Sequence, residues 1–230
     1  MEKGGGLDAG RYGVWGEAPP AGTSYRVQTS GLKRAMDVAI AFPLIIFLAP
    51  MLLTIFLAIR IFDPGPALFR QLRVGRRGEQ FMVLKFRSMR MDAEQRLAEL
   101  LSDNPAAREE WDRYQKLRCD PRVTFVGRIL RKTSLDELPQ LVNILRGEMS
   151  LIGPRPVTAG ELQRYGSDYP FYAAVRPGIL GLWQVKGRNR LSYPERVALD
   201  VEYVKTWSIW KDMKIIALAI PVVLLGQGAY

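Results

Sequence analysis

The sequence predicts an α/β chain, mostly helical with short strands, built as a monotopic membrane protein with a re-entrant helix-break-helix and interfacial helices. Three observations lead there. Val38–Ile59 runs without a charge, two short apolar-rich segments flank Gly75–Gly78, and much of the rest repeats apolar residues at helical spacing. With 230 residues, 48% of them apolar, the chain can build one ordinary domain and an appendage but not two full domains.

Residues 1–30 are rich in Gly, Pro and Ala without periodicity and read as a flexible tail. Residues 31–62 form the expected membrane segment. As a straight helix its uncharged stretch covers about 33 Å, enough to cross a bilayer. Two features argue otherwise: Pro43 and Pro50 interrupt the helix, and Lys or Arg flanks both ends, which favours keeping both on the cytoplasmic side. A hairpin bent near Ala49-Pro50 satisfies both, with a straight span or a buried core helix as the alternatives. The stretch starts too late, and after Lys33-Arg34, to be a secretory signal.

Residues 63–230 then carry the globular domain. Ala67–Val74 and Gln80–Arg87 predict a short hairpin around Arg76-Arg77. Asp92–Leu101 and Ala106–Leu117 read as two charged helices split by Asp103-Asn104-Pro105. Further helices are expected over Arg122–Lys132 and Leu135–Leu145, the latter ending before Gly147. The apolar run Ile215–Leu225 is too short to span; preceded by Trp207, Trp210, Lys211 and Lys214, it suits an interfacial helix, with packing inside the domain as the alternative.

A net charge of +10 calls for an anionic partner: nucleic acid, anionic lipid or a phosphate-rich substrate. Lys33, Arg34, Arg60, Arg70, Arg73, Arg76 and Arg77 cluster beside the apolar segment, as expected for lipid headgroups, and no nucleic-acid fold signature occurs. The absence of histidine excludes a Ser-His-Asp triad, a phosphohistidine and a histidine metal site. Cys119 stands alone, so there is no internal disulfide or zinc cluster, and the thiol reads as incidental.

The common nucleotide-binding and zinc-protease motifs are missing. What stands out is Arg131–Gln140, where the adjacent carboxylates Asp136 and Glu137 follow two cations. Ser134 and Glu137 have the spacing of a helix capping box, so a purely structural reading competes with a chemical one. In Gly153-Pro154-Arg155-Pro156 two prolines stiffen the backbone around one guanidinium, which suits phosphate recognition or a plain surface turn. Arg176-Pro177-Gly178, Gly181–Gln184 and Gly187-Arg188-Asn189 form a third cluster, readable as a binding loop or as flexible chain.

From about Leu32 to Tyr230 these motifs together resemble the monotopic polyprenyl-phosphate phosphoglycosyltransferases, the bacterial sugar transferases. The likeness is carried by Lys33-Arg34 with Asp37, Ala49-Pro50, Lys85–Met89, Ser134–Gln140, Gly147–Ser150, Gly153–Val157, Arg176–Gly178 and Gly187–Asn189. Asp120–Val123 and Gly181–Gln184 resemble the exopolysaccharide branch, notably the succinoglycan-type undecaprenyl-phosphate galactosephosphotransferases. Known relatives break the re-entrant helix at Ser-Pro, where this chain has Ala49-Pro50.

The resemblance implies a cytoplasmic-face catalytic domain on the bacterial inner membrane. It implies transfer of hexose 1-phosphate from a UDP-sugar, galactose ahead of glucose, to undecaprenyl phosphate, with UMP released and exopolysaccharide repeat-unit synthesis begun. Asp136 is implied as the nucleophile and as ligand of a Mg²⁺ cofactor, and Glu137 as its catalytic partner. Arg131, Arg155, Lys85, Arg87, Arg176, Gln184 and Arg188 are the candidates for substrate contact. Membrane phospholipids are expected partners, nucleic acid is not, and a homodimer stays open. A lipid-binding module without catalysis, or a transferase that moves sugar alone and releases UDP, are the competing readings.

Overall fold

The computed structural model describes residues 30–114, 117, 120–187 and 191–224, so the expected tail lies outside the described residues but for Ser30. Helix α1, Gly31–Phe62, starts at Ser30, whose hydroxyl accepts the Lys33 N–H. It continues through Pro43 and Pro50, so the break expected at Ala49-Pro50 does not interrupt it. Each proline removes one intrahelical donor, and the Thr54 hydroxyl donates to the Pro50 carbonyl at 2.9 Å. Lys33, Asp37, Ala41, Ile55 and Ile59 are buried along one stripe, with Leu44, Ile45, Met51 and Leu52 packed on the domain between them. The other face exposes Phe42, Ile46, Phe47, Leu53, Phe56 and Leu57. By length and composition α1 could cross a membrane.

The expectation that Lys33 and Arg34 meet lipid headgroups is corrected. The Lys33 ammonium pairs at 2.7 Å with Asp212, which is fully buried and requires a counter-charge. Arg34 donates to the Ile144 and Leu145 carbonyls at 2.6 and 3.1 Å, satisfying acceptors at the end of a later helix. The Asp37 carboxylate accepts the Ser150 hydroxyl and the Leu151 N–H, both at 3.0 Å.

The predicted hairpin forms: β1, Leu68–Val74, pairs antiparallel with β2, Gln80–Phe86. Its register places Phe69 opposite Lys85, Gln71 opposite Val83 and Arg73 opposite Phe81, so these six share one face. On the far edge of β2, Asn143 replaces a strand: its amide donates to the Met82 carbonyl at 2.8 Å and accepts the Leu84 N–H at 3.0 Å. Helices α2, Ala93–Asp103, and α3, Pro105–Tyr114, follow where expected and pack chiefly on each other.

Helix α4, Phe125–Thr133, is capped by the Thr124 hydroxyl. The single helix expected over Leu135–Leu145 divides into a 3-10 turn at Leu135–Glu137 and, beyond Pro139, helix α5, Gln140–Arg146. The capping box expected at Ser134 and Glu137 is absent: Ser134 takes a left-handed conformation, φ 58°, and its hydroxyl caps nothing. Strand β3, Ser150–Ile152, leads through α6, Ala159–Leu162, and α7, Tyr169–Ala174, to β4, Gly178–Leu180, which lies parallel to β3. Helices α8, Leu182–Lys186, α9, Tyr193–Lys205, and α10, Ile209–Leu224, complete the order.

Ile144, Met149, Ile152, Tyr203, Val204 and Ile215 join α5, β3, α9 and α10 into the main core, where Ala41 also packs. Helix α10 buries Asp212, Ile215 and Ala219 and exposes Trp210, Met213, Leu218 and Ile220. The packing alternative for this run is therefore realised on one face, while the other stays open to solvent.

Candidate active site

Asp136 and Glu137 sit where the chain cannot stay α-helical. The left-handed Ser134 ends α4, its N–H bonding back to Arg131 and Leu130, and Pro139 begins α5. The one tight turn between them fixes both carboxylates against the hairpin, toward the face that carries Lys85.

Lys85 Nζ donates to Glu137 Oε1 at 2.8 Å, and Arg155 Nη2 lies 3.5 Å from the same oxygen. Burial alone would raise the Glu137 pKa, but the charges of Lys85 and Arg155 outweigh it and hold the group at about 2. Asp136 goes the other way. Burial, and then the neighbouring Glu137 charge, push it up to about 6 against the opposing pull of Lys85, Arg131 and Arg155. Among the described residues its carboxylate accepts no side-chain hydrogen bond. The pair thus titrates as two separated steps, Glu137 a fixed anion and Asp136 a carboxylate poised just below neutrality.

The cations come from different elements. Arg131, on the last turn of α4, donates Nε to the Ser88 hydroxyl at 2.9 Å and feels the charges of Asp136 and Asp120. Arg155 stands in the Gly-Pro-Arg-Pro turn, which β3 and β4 clamp: the Gly153 N–H donates to the Leu180 carbonyl and the Gly178 N–H to the Pro154 carbonyl. A Cβ on Gly153 would lie 2.5 Å from the Arg176 carbonyl oxygen, so only glycine lets the two strands approach this closely. The Arg155 side chain, 40% exposed, keeps the freedom to meet a ligand.

A cleft lined by Arg73, Lys85, Glu137, Gln140, Arg155 and Ile179 opens beside the pair. Arg73 and the buried Gln140 are site residues that sequence reasoning missed. Arg73 had been grouped with headgroup-facing cations; instead it pairs with Glu161 at 2.8 Å, donates to Gln71 at 2.7 Å and sits close enough to Arg155 to feel its charge. The signal that finds it is the hairpin register, since residues facing Phe81, Val83 and Lys85 share their side of the sheet.

Of the predicted contacts, Asp136, Glu137, Lys85, Arg131 and Arg155 come together. Three others are placed elsewhere. Arg87 is buried and holds the loop after α1, donating to the Asp63 and Pro64 carbonyls. Arg176 donates Nε to the Gly147 carbonyl at 2.6 Å, among Arg34, Arg77 and Glu79. Gln184 donates to the Ile179 carbonyl at 3.3 Å, and Arg188 lies outside the described residues.

The fold and cleft define a small α/β domain, tied along an apolar helix, that sets an acidic pair among cations suited to phosphate groups. The chain belongs to the bacterial sugar transferase family, whose model matches residues 28–226. It is 48% identical over 198 residues to the exopolysaccharide production protein ExoY of Sinorhizobium fredii, covering 86% of this chain and 88% of that one. It is 47% identical over 199 residues to the undecaprenyl-phosphate galactose phosphotransferase of Salmonella typhimurium, covering 86% of this chain but 42% of the relative. With the UDP-glucose:undecaprenyl-phosphate glucose-1-phosphate transferase of Caulobacter vibrioides it shares 44% identity over 219 residues, 92% of this chain and 76% of the relative. The chain therefore spans less than half the length of some curated relatives and most of the length of others.

Proposed function

We propose that the protein transfers a hexose 1-phosphate from a UDP-sugar to undecaprenyl phosphate, releasing UMP, as the first step of an exopolysaccharide repeat unit. The observation that carries this reading is the asymmetry within the acidic pair: Lys85 and Arg155 lie 2.8 and 3.5 Å from one Glu137 oxygen and keep that group ionised, while the Asp136 carboxylate accepts no side-chain hydrogen bond among the described residues and is pushed up to about 6 by burial. Galactose stands ahead of glucose as the sugar, in line with the name of the Salmonella relative taken with the sequence motifs, and the Caulobacter relative keeps glucose next.

In the mechanism we infer, an Asp136 oxygen forms a bond to the β-phosphorus of the UDP-sugar as the bridging P–O bond to UMP breaks. The lipid phosphate oxygen then attacks the same phosphorus, the aspartyl bond breaks, and the carboxylate returns. Lys85, Arg155 and Arg131 neutralise the phosphates that approach the acids. Glu137 acts by anchoring Lys85 and Arg155 beside the reacting group. The residues present fit a Mg²⁺ as the resemblance implies it: Asp136 would be the protein ligand and substrate phosphates the rest, since no group of three acidic or thiol side chains occurs among the described residues. Bound so, the ion would offset charge repulsion between carboxylate and diphosphate.

Helix α1 is proposed to enter one leaflet of the inner membrane with the domain on the cytoplasmic face. The test of function is nucleotide release in nanodiscs with Mg²⁺, undecaprenyl phosphate and a panel of UDP-sugars. UMP formed with one sugar, over many turnovers only when lipid phosphate is present, is the expected result. UDP would mean transfer of sugar alone, and membrane binding without any nucleotide release would leave a lipid-binding module.

A further inference from the structure

Phe69 is a large aromatic left 48% exposed on the edge strand of the hairpin. Its partner across the register is Lys85, whose ammonium holds Glu137. Residues directly paired across an antiparallel ladder project from the same face. The ring therefore projects from the same face of the sheet as Lys85, which reaches from there to Glu137, and nothing in the mechanism above uses it.

That face changes character along β1. Phe69, Gln71 and Arg73 follow at alternate positions, so apolar surface gives way to a guanidinium over roughly 13 Å. The apolar end is the one joined to the membrane helix. Ala67 and Phe86, at the open end of the hairpin, bury against Ile55 and Ile59 of α1. Arg87 grips the Asp63 and Pro64 carbonyls just beyond α1, and there Ile61 and Phe62 are 72% and 73% exposed. The Arg73 end faces away, next to Val74, which is bridged to Val157, and to Glu161. The end of the hairpin joined to α1 thus offers exposed apolar side chains, and the other end offers charge.

We propose that Phe69 is the contact for the isoprene units nearest the phosphate of the acceptor lipid, which enters past Ile61 and Phe62 and presents its phosphate beside Lys85. The inference rests on the two-step reading above and adds a binding residue to it. A branched hydrocarbon chain gains from covering an exposed ring. A UDP-sugar, polar along most of its length, finds its charge complement at the Arg73 and Arg155 end.

The experiment separates the two half-reactions in the full chain in nanodiscs. Exchange of labelled UMP into the UDP-sugar without lipid acceptor reports the donor step alone. Phe69→Ser is expected to raise the KM for undecaprenyl phosphate about tenfold, to raise the donor KM in exchange by less than about twofold, and Phe69→Leu to restore most of the acceptor KM. Exchange also shows that each variant is folded. Wild-type exchange together with an unchanged acceptor KM in Phe69→Ser overturns the proposal alone. A raised donor KM, or lost exchange, in the variant overturns it in favour of a donor contact such as uracil stacking. No exchange in the wild type removes the two-step reading and this proposal with it.

Discussion

Replacing Glu137 by glutamine should move the acid limb of the pH profile down, and the size of the move follows from the site. Asp136 stands at about 6 because burial and the neighbouring Glu137 charge both favour its neutral form, against Lys85, Arg131 and Arg155. Glu137→Gln keeps the volume and an acceptor oxygen for Lys85 while removing that charge. It also frees the positive charges of Lys85 and Arg155, now compensated at 2.8 and 3.5 Å, to act on Asp136. Both changes favour the carboxylate. A single charge on an adjacent residue, at an effective dielectric of ~20, is worth on the order of one to two pH units. Since kcat/KM reports free-enzyme groups, its value for the UDP-sugar should fall about tenfold per unit below pH ~6 in the wild type, and only below about 5 in the variant. The reading is of the limb's position, not of the plateau, which also drops if the cations lose their anchor. A limb that stays at the wild-type position, or moves up, would refute the assignment of Asp136 as the group whose ionisation starts the reaction.

Asp136→Asn should retain the wild-type melting temperature within a few degrees yet abolish UMP exchange, since an amide cannot form the aspartyl phosphate; near-normal exchange would remove the covalent step. Asn143→Ala strips the Leu84 N–H and the Met82 carbonyl of their partner at a fully buried position, and should cost about 3 kcal/mol, visible as a drop of roughly 6–12 °C in Tm. Asp200, which accepts the buried Tyr165 hydroxyl at 2.8 Å, is pushed up to about 7 by burial. Its folded pKa thus lies above its unfolded one, so the ionised form destabilises the fold above pH ~7 and the penalty fades as pH falls toward ~4. Asp200→Asn should accordingly raise Tm at pH 8 and lose that advantage progressively toward pH ~4, as thermal melts across pH would show.

The elements legible in the sequence are those whose signal is local. The hairpin around Gly75–Gly78, the two charged helices split by Asn104-Pro105, and α4 with its apolar spacing all appear within a residue or few of expectation. The acidic pair was visible as well, but its surroundings were not. Ser134 and Glu137 have capping-box spacing, and nothing local reveals that Lys85, 52 positions away, and Arg155 would claim Glu137 instead. The same limit explains Arg87 and Arg176, whose guanidinia satisfy backbone carbonyls of the Asp63-Pro64 loop and of Gly147 that only the folded chain brings near. Lys33 misled for a related reason: beside an apolar run it resembles a headgroup contact, whereas Asp212, far along the chain, draws it inward.

The same long-range contacts bear on how α1 meets a bilayer. Composition alone makes it a candidate span, and its proline positions alone made it a candidate hairpin. Its packing favours neither in simple form. From Lys33 to Ile59 one face of the helix is held against the domain, first by Asp212 and by Ala41 in the main core, then by Ala67, Phe86 and Leu130. A helix that crossed ~30 Å of hydrocarbon would need lipid or other apolar segments around it over that length. Here the domain that lines it carries Lys85, Arg131, Arg155 and the acidic pair, which could not follow it into a bilayer without large desolvation costs. The proposed entry of α1 into one leaflet fits both facts, with the exposed Phe42, Ile46, Phe47 and Phe56 face left for lipid and the opposite face on the domain.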